Sequence, residues 1–269
     1  MKQKIPRRQT KRTFGHNSKL HKGVKRVIVL PDTQIPYEDK QTCKAVFKYI
    51  KDFQPDEIIQ LGDFLDFDCI SHWQKGNERI INKKLRKEYV AGNEFLDQLQ
   101  SVAPKSKIVI IQGNHDQRIE KYLDANPAGE GYLEFETCLK LKERGIKFVK
   151  FWDKGTTYKI GHATFIHGLY TGDQHAKKHV QQYGTNIFYG HLHDIQNYSQ
   201  VHKGDNKTLV GQSLGCLCEY NQSYMKGKPS RWQQGFGVFY FQPNGFFNYY
   251  VVRIFNHSFV SPEGNFYQP

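Results

Sequence analysis

Three short apolar runs in the first half of the chain are typical of buried β-strands. They cover residues 26–31, 56–61 and 107–112. Between the first two, the apolar positions of residues 39–53 recur with the period of an α-helix. A strand, a helix and a second strand in this order predict a right-handed crossover between parallel strands.

A long excursion separates the second and third of these strands. It covers residues 64–101, and within it the charged amphipathic pattern of residues 82–99 predicts a helix. An excursion beside a functional site can act as a lid or determine specificity. After the third strand, residues 117–124 and 133–144 also have helical periodicity.

Beyond Gly145 the apolar period changes to two, which favours strands. Strands are predicted at 146–151, 156–160, 163–167 and 187–189, a helix at 173–183, and a strand-rich region from 195 to 254. Crossover units followed by strands predict two sheets packed face to face. The predicted fold class is α/β (α+β), a four-layer αββα sandwich of two mixed β-sheets flanked by helices.

Composition and charge divide the 269 residues into a short arm and one domain. Residues 1–26 contain ten Lys or Arg and no acid, whereas the rest contain 29 basic and 26 acidic residues, a net charge of +3. Residues 1–25 are therefore predicted to be a disordered basic arm, and residues 26–269 a single domain. The arm could bind DNA or RNA, or could serve only solubility.

Cysteine usage and hydropathy indicate a reducing, non-membrane setting. The five cysteines are odd in number and scattered, which is typical of the cytosol. Cys216 and Cys218 alternate onto one face of a predicted strand and are assigned to the core. No segment approaches a membrane span, so no membrane association is expected.

Polar side chains follow several of the predicted strands at the point where each strand ends. They are Asp32, Gln34, Asp63, Asn114, His115, His167, His191 and His193. Four imidazoles, two carboxylates and two amides at one end of a sheet are best explained by a pair of divalent cations, which compensate buried carboxylates and bind mixed N and O donors. Two such ions can activate water and hold a phosphoryl group from both sides.

At these positions the chain resembles the calcineurin-like metallophosphoesterase superfamily. The ordered motifs are Asp32-Thr33-Gln34, Gly62-Asp63-Phe64-Leu65-Asp66, Gly113-Asn114-His115-Asp116, His167-Gly168 and Gly190-His191-Leu192-His193. Five motifs in order make the resemblance specific. The wider layout, including residues 232–237, is similar to that of small stand-alone members often encoded by bacteriophages, which implies the cytoplasm of a bacterial host.

The resemblance implies a role for each motif residue. The first metal ion would be held by Asp32, Gln34, Asp63 and His193, and the second by Asp63, Asn114, His167 and His191. His115 would face the substrate and protonate the leaving group, with Asp116 fixing its orientation. The nucleophile would be a metal-bridging hydroxide that attacks phosphorus directly.

Gln34 departs from the commonest pattern, in which a histidine occupies its position. An amide oxygen is a harder and weaker donor than imidazole, which shifts preference toward manganese or magnesium. Manganese is therefore the favoured ion, with magnesium, zinc, iron, nickel and cobalt as alternatives.

Three further side chains are candidates for substrate contacts. Arg118 could bind a substrate phosphate or form a surface salt bridge. His175, one helical turn before His179, could flank the site or have no role in it, as is common for histidines on a helix face. Tyr37 could stack on a base or instead cover the sheet. Asp66 is expected to support the loop that carries Asp63.

The function predicted from these features is phosphoester hydrolysis. A phosphodiesterase or nuclease acting on nucleic acid or nucleotides is favoured slightly over a phosphomonoesterase or protein phosphatase. The alternative from another class is a nucleic-acid-binding protein on a phosphoesterase scaffold. The oligomeric state does not follow from the sequence.

Overall fold

The computed structural model describes residues 23–71, 83–202, 204, 207–220 and 230–269. Within them the strands of the first sheet are β1 (Lys25–Leu30), β2 (Glu57–Gln60), β3 (Lys107–Ile111), β4 (Lys147–Val149), β10 (Gly235–Phe241) and β11 (Phe247–Arg253). Their order is β11-β10-β1-β2-β3-β4. β1 to β4 run parallel, whereas β10 pairs antiparallel with both neighbours, so the sheet is mixed.

The second sheet comes from the middle of the chain. Its strands are β5 (Tyr158–Ile160), β6 (Ala163–Phe165), β7 (Asn186–Tyr189), β8 (Asn197–His202) and β9 (Lys207–Ser213), in the order β5-β6-β7-β9-β8. β6, β7 and β9 are parallel, and β5 and β8 are antiparallel edges. A hairpin of β12 (Phe259–Val260) and β13 (Phe266–Tyr267) follows.

Helices cover the outer faces of both sheets. They are α1 (Lys40–Phe53), α2 (Leu85–Val102), α3 (Arg118–Ala125), α4 (Phe135–Cys138) and α5 (His175–Tyr183). Ile28 belongs to the core beneath α1 and α2, whereas its neighbours Val27 and Val29 belong to the core between the sheets. Val180 of α5 packs with Ile187 in a third core. Three apolar layers separate four structural layers, which confirms the predicted αββα sandwich.

The helix predicted at 133–144 is much shorter than expected, because only Phe135–Cys138 is α-helical. Lys140 adopts a φ of 54°, in the left-handed region. A non-glycine residue in this region ends a right-handed helix. The apolar periodicity nevertheless placed buried side chains correctly, since Leu139 and Leu141 are both buried.

The predicted helix in the excursion is α2, which belongs to the outer helical layer. Phe95 of α2 meets Phe47 of α1 with ring centroids 5.0 Å apart. Because α2 lies between β2 and β3 in the chain and packs beside α1, it is the crossover helix of this unit rather than an added lid. Residues 72–82 of the excursion lie outside the described residues.

Candidate metal centre

The five motifs meet at one edge of the molecule, where the parallel strands of both sheets end. Asp32, Asp63 and Asn114 follow β1, β2 and β3 of the first sheet. His167 follows β6 of the second sheet, and His191 follows β7. The carboxyl ends of parallel strands are where open α/β sheets bind ligands. The fold therefore brings the seven predicted ligands together.

The described residues form three groups of possible metal-binding atoms, and the two that share a carboxylate lie at this edge; the third consists of His193, Cys216 and Cys218. Asp32, Asp63 and His193 make up the first donor group, and Asp63, His167 and His191 make up the second. Within each group the donor atoms lie within 4.8 Å of one another. Asp63 is common to both groups, which is the arrangement that a bridging ligand requires.

The first donor group is completed by Gln34. His193 Nε2 lies 3.3 Å from Asp32 Oδ1 and 3.3 Å from Gln34 Nε2. Gln34 Oε1 is buried and has no hydrogen-bond partner in the described part of the chain. An orphaned buried oxygen beside imidazole and carboxylate donors fits a cation.

The second donor group is completed by Asn114. His167 Nε2 lies 2.9 Å from Asn114 Oδ1, 3.2 Å from His191 Nδ1 and 3.3 Å from Asp63 Oδ1. Ligands that are each about 2.1 Å from one ion are separated by about 3 Å at right angles. The spacing of these donors therefore also fits a divalent ion.

Backbone strain is concentrated at the predicted ligands. Five of the seven have positive φ angles: Asp32 31°, Gln34 47°, Asp63 48°, His191 73° and His193 61°. Such conformations are costly for residues other than glycine and persist at functional sites where the surrounding structure enforces them. The ligand loops are thus shaped to aim side chains rather than to minimise strain.

Two motif glycines leave room for the ligand carboxylates. A Cβ on Gly113 would lie 2.2 Å from Asp63 Oδ1, and one on Gly190 would lie 1.9 Å from Asp32 Oδ2. These are far below contact distance, so both glycines are required by close approach.

Replacing Gly190 by alanine is expected to displace Asp32, weakening metal binding and lowering the free energy of unfolding by about 1–3 kcal/mol, as in overpacked cores. Gly204 is the matched control, because a Cβ there meets nothing within 4 Å. Thermal unfolding and metal titration of both alanine variants test this. Wild-type metal affinity in the Gly190 variant would contradict the steric argument.

The buried carboxylates of the site raise the pKa values of two of the predicted histidine ligands. Burial opposes the charge on His167, but Asp63 outweighs it and raises the pKa of His167 to about 9. Burial likewise opposes the charge on His193, and its hydrogen bond with Asp32 raises its pKa to about 9. Protonated imidazoles therefore balance the carboxylates without metal. An incoming cation must displace these protons.

His115 lies beside the donor groups and is not a member of either. Its Nδ1 lies 3.2 Å from Asp66 Oδ2, and its Nε2 lies 3.0 Å from Arg118 Nη2. Arg118 also donates to the backbone carbonyl of Asp66 at 2.6 Å. Burial opposes a charge on His115, but Asp63 and Asp66 together raise its pKa above the usual value. His115 is thus held by two charged neighbours at the edge of the site.

The Asp116 carboxylate is hydrogen-bonded to backbone N–H groups, whereas its place in the motif predicted that it would orient His115. The carboxylate accepts the backbone N–H groups of Gly113 at 2.9 Å and Leu65 at 3.0 Å. Burial raises the pKa of Asp116 to about 7. Asp116 therefore ties two ligand loops together, and Asp66 is the carboxylate that lies against the His115 ring.

The other candidate substrate contacts are engaged elsewhere. The Tyr37 hydroxyl donates to Asp68, and Lys83 lies against the same groups. His175 is only 1% exposed, with its ring nitrogens 2.6 Å from the Tyr189 hydroxyl and 3.0 Å from Asp194. Arg118 forms the contacts described above. In this structure Tyr37 and His175 have structural partners rather than open faces.

Sequence reasoning missed three neighbours of the ligands. The ring of Trp232 lies 4.2 Å from that of His193, and the ring of Trp152 lies 6.0 Å from that of His191. Cys218 is buried, as predicted for a core residue, yet its sulfur lies 3.7 Å from His193 Nδ1. The residues in each contact are far apart in the sequence, so no local sequence pattern predicts these contacts.

The site and the two-sheet sandwich define a metallophosphoesterase-type protein, and the sequence comparison agrees. Residues 25–195 match the family model for calcineurin-like phosphoesterases. The chain belongs to the calcineurin-like phosphoesterase family. Along the described residues, none of the helices is both long and apolar enough to span a membrane.

Two phage proteins and two solved structures are similar to the chain. The gene 54 proteins of Mycobacterium phages D29 and L5 are each 29% identical over 225 residues, covering 80% of this chain and 88% of theirs. Vacuolar protein sorting 29 from Cryptosporidium parvum matches 92% of this chain and 97% of its own, with 13% identity and a TM-score of 0.49. Chaetomium thermophilum Vps29 gives 12% identity, coverages of 91% and 96%, and a TM-score of 0.43.

Proposed function

We propose that the protein is a dinuclear metal-dependent phosphodiesterase or nuclease. The observation that carries the dinuclear assignment is that Asp63 belongs to both donor groups. A carboxylate in this position suits two cations about 3.5–4 Å apart. Family membership supports phosphoester hydrolysis in general, and the finer assignment is our proposal.

The residues of the site are proposed to have different roles in metal binding and catalysis. One ion would be held by Asp32, Gln34, Asp63 and His193, and the other by Asp63, Asn114, His167 and His191. When bound, such ions activate water and neutralise phosphoryl oxygens. His115, oriented by Asp66, would donate a proton to the leaving oxygen. Arg118 can only donate toward His115 Nε2, so it would have to turn away before that nitrogen could carry the proton, and it could then meet the substrate phosphate.

Manganese is the proposed ion, with magnesium as the nearest alternative. The orphaned amide oxygen of Gln34 supports this, because it is a hard donor in a position where imidazole would favour zinc or iron. The mixed donor set of the second group accepts several divalent ions. Metal preference is therefore proposed to be set at the first donor group.

The proposed substrate is nucleic acid or a nucleotide. The ten basic residues among residues 1–26 support this, since such a segment binds phosphate backbones through a salt-sensitive interaction. Phosphomonoesters and phosphoproteins are the alternative substrates, and a binding protein without turnover is the alternative class. The phage relatives favour action inside an infected bacterial cell.

A metal and substrate panel tests the enzyme assignment. Purified protein would be loaded with manganese and assayed on single- and double-stranded DNA, RNA, cyclic nucleotides and a phosphopeptide. Cleavage of a nucleic acid or nucleotide is expected. Faster turnover of the phosphopeptide would favour the phosphatase alternative. Failure to bind manganese, together with no turnover of any substrate, would contradict the assignment of the protein as an enzyme.

Removal of residues 1–22 is expected to weaken nucleic-acid binding and to flatten its dependence on salt. The cut ends before Lys25, which begins β1 and pairs with the buried Glu57 carboxylate at 2.6 Å. Hydrolysis of a small chromogenic ester should be unchanged. Binding to labelled DNA and RNA across a salt series measures the effect. Equal affinity with and without the segment would leave it a role in solubility alone.

A further inference from the structure

The imidazole of His193 has a different neighbour at each nitrogen. Nε2 faces the first donor group, 3.3 Å from Asp32 Oδ1. Nδ1 faces away from it, 3.7 Å from the sulfur of Cys218. This is within hydrogen-bonding range for sulfur. The side chain of His193 is thus held between a carboxylate on one side and a thiol on the other.

His167 in the second donor group is held differently. Its Nε2 faces the other donors, whereas its Nδ1 lies 2.9 Å from the backbone carbonyl of Leu61. A ligating histidine commonly donates its second N–H to a carbonyl or carboxylate, which fixes the tautomer and strengthens the ligand. At His193 the described residues place a sulfur, a weaker acceptor, where His167 has an oxygen.

The position of the Cys218 sulfur is fixed by its surroundings. Cys218 is fully buried and lies in hydrogen-bonding contact with Cys216. Its backbone carbonyl accepts Gln234 Nε2 at 3.1 Å. Its sulfur can accept one proton while its S–H points elsewhere.

We infer that Cys218 is the positioning residue of the first donor group: its sulfur accepts the Nδ1 proton of His193 and so leaves Nε2 free to bind metal. The inference rests on the proposed dinuclear function. A sulfur behind His193 and an amide at Gln34 make the first donor group the weaker of the two sites. The protein should therefore bind divalent ions in two steps of unequal affinity, with the ion at Asp32 lost first.

Manganese titration of three variants tests this. Wild-type protein should show a tight and a weaker site. Cys218→Ala should weaken the weaker site by about 10–100-fold, the usual effect of losing such a partner, and leave the tight site unchanged. Cys218→Ser should recover part of the loss, because a hydroxyl oxygen can accept the same proton. Cys43→Ala is the matched control, since Cys43 is also buried and its sulfur faces the Leu217 carbonyl.

Nitrogen-15 NMR of the magnesium-loaded protein gives a readout that a purely structural role would not change. His193 should carry its proton on Nδ1 in wild type and a mixture of tautomers in Cys218→Ala. An unprotonated Nδ1 in wild type, or equal manganese affinities in Cys218→Ala and Cys43→Ala, would overturn the inference while leaving the dinuclear proposal intact. Failure of wild type to bind two ions would instead overturn the proposed function, and the inference with it.

Discussion

Replacing His115 by alanine is expected to lower the turnover number by about 10²–10⁴-fold, the usual contribution of a general acid, while both metal ions are retained. His115 belongs to neither donor group, and its side chain is 14% exposed at the edge of the site. Its backbone N–H donates to Asp63 at 2.8 Å, and alanine keeps that bond. We therefore expect both metal ions to remain bound after the substitution.

Two measurements on the same protein decide this prediction. Bound manganese is counted by elemental analysis after dialysis, and turnover is measured on the substrate found in the panel. His162→Ala is a suitable control, because His162 is exposed and packs on Phe246 with ring centroids 4.8 Å apart. Asp66→Asn should lower turnover in the same direction as His115→Ala. Loss of bound metal in His115→Ala would show that His115 is a ligand.

The ligand positions could be predicted from sequence because each one follows the end of a strand. Apolar runs identified β1, β2 and β3 almost to the residue, and their parallel order placed Asp32, Asp63 and Asn114 at one edge. The loops themselves could not be predicted. His191 and His193 have positive φ angles, which no local sequence pattern indicates.

The roles of side chains just outside the ligand set were harder to predict. Asp116 follows His115 directly, so sequence proximity suggested a pair, but the turn after Gly113 sends its carboxylate inward to backbone amides. Asp66, which lies 49 positions before His115, has its carboxylate beside the His115 ring instead. His175 was predicted to flank the site from helical spacing alone, and tertiary packing buries it against Tyr189. Such partners are set by long-range contacts.

Asp63→Asn is expected to have the largest effect of any single substitution, because it changes both donor groups at once. An amide has one oxygen and no charge, so it cannot bridge two ions and binds either one more weakly than a carboxylate does. The dinuclear centre should be lost, and turnover should fall by at least about 10³-fold, corresponding to roughly 4 kcal/mol of transition-state stabilisation. Metal content and turnover under saturating manganese measure both effects.

Comparison with Gln34→Ala tests whether Asp63 is a ligand of both metal sites. Gln34 lies beside His193 in the first donor group alone, so its loss should remove one ion and leave the other. Asp63→Asn should instead weaken both sites. In the metal-free protein the same variant should lower the pKa of His167, since Asp63 is the carboxylate that outweighs burial there. If Asp63→Asn kept one ion at full affinity, Asp63 would be a ligand of a single site and the centre would not depend on a bridge.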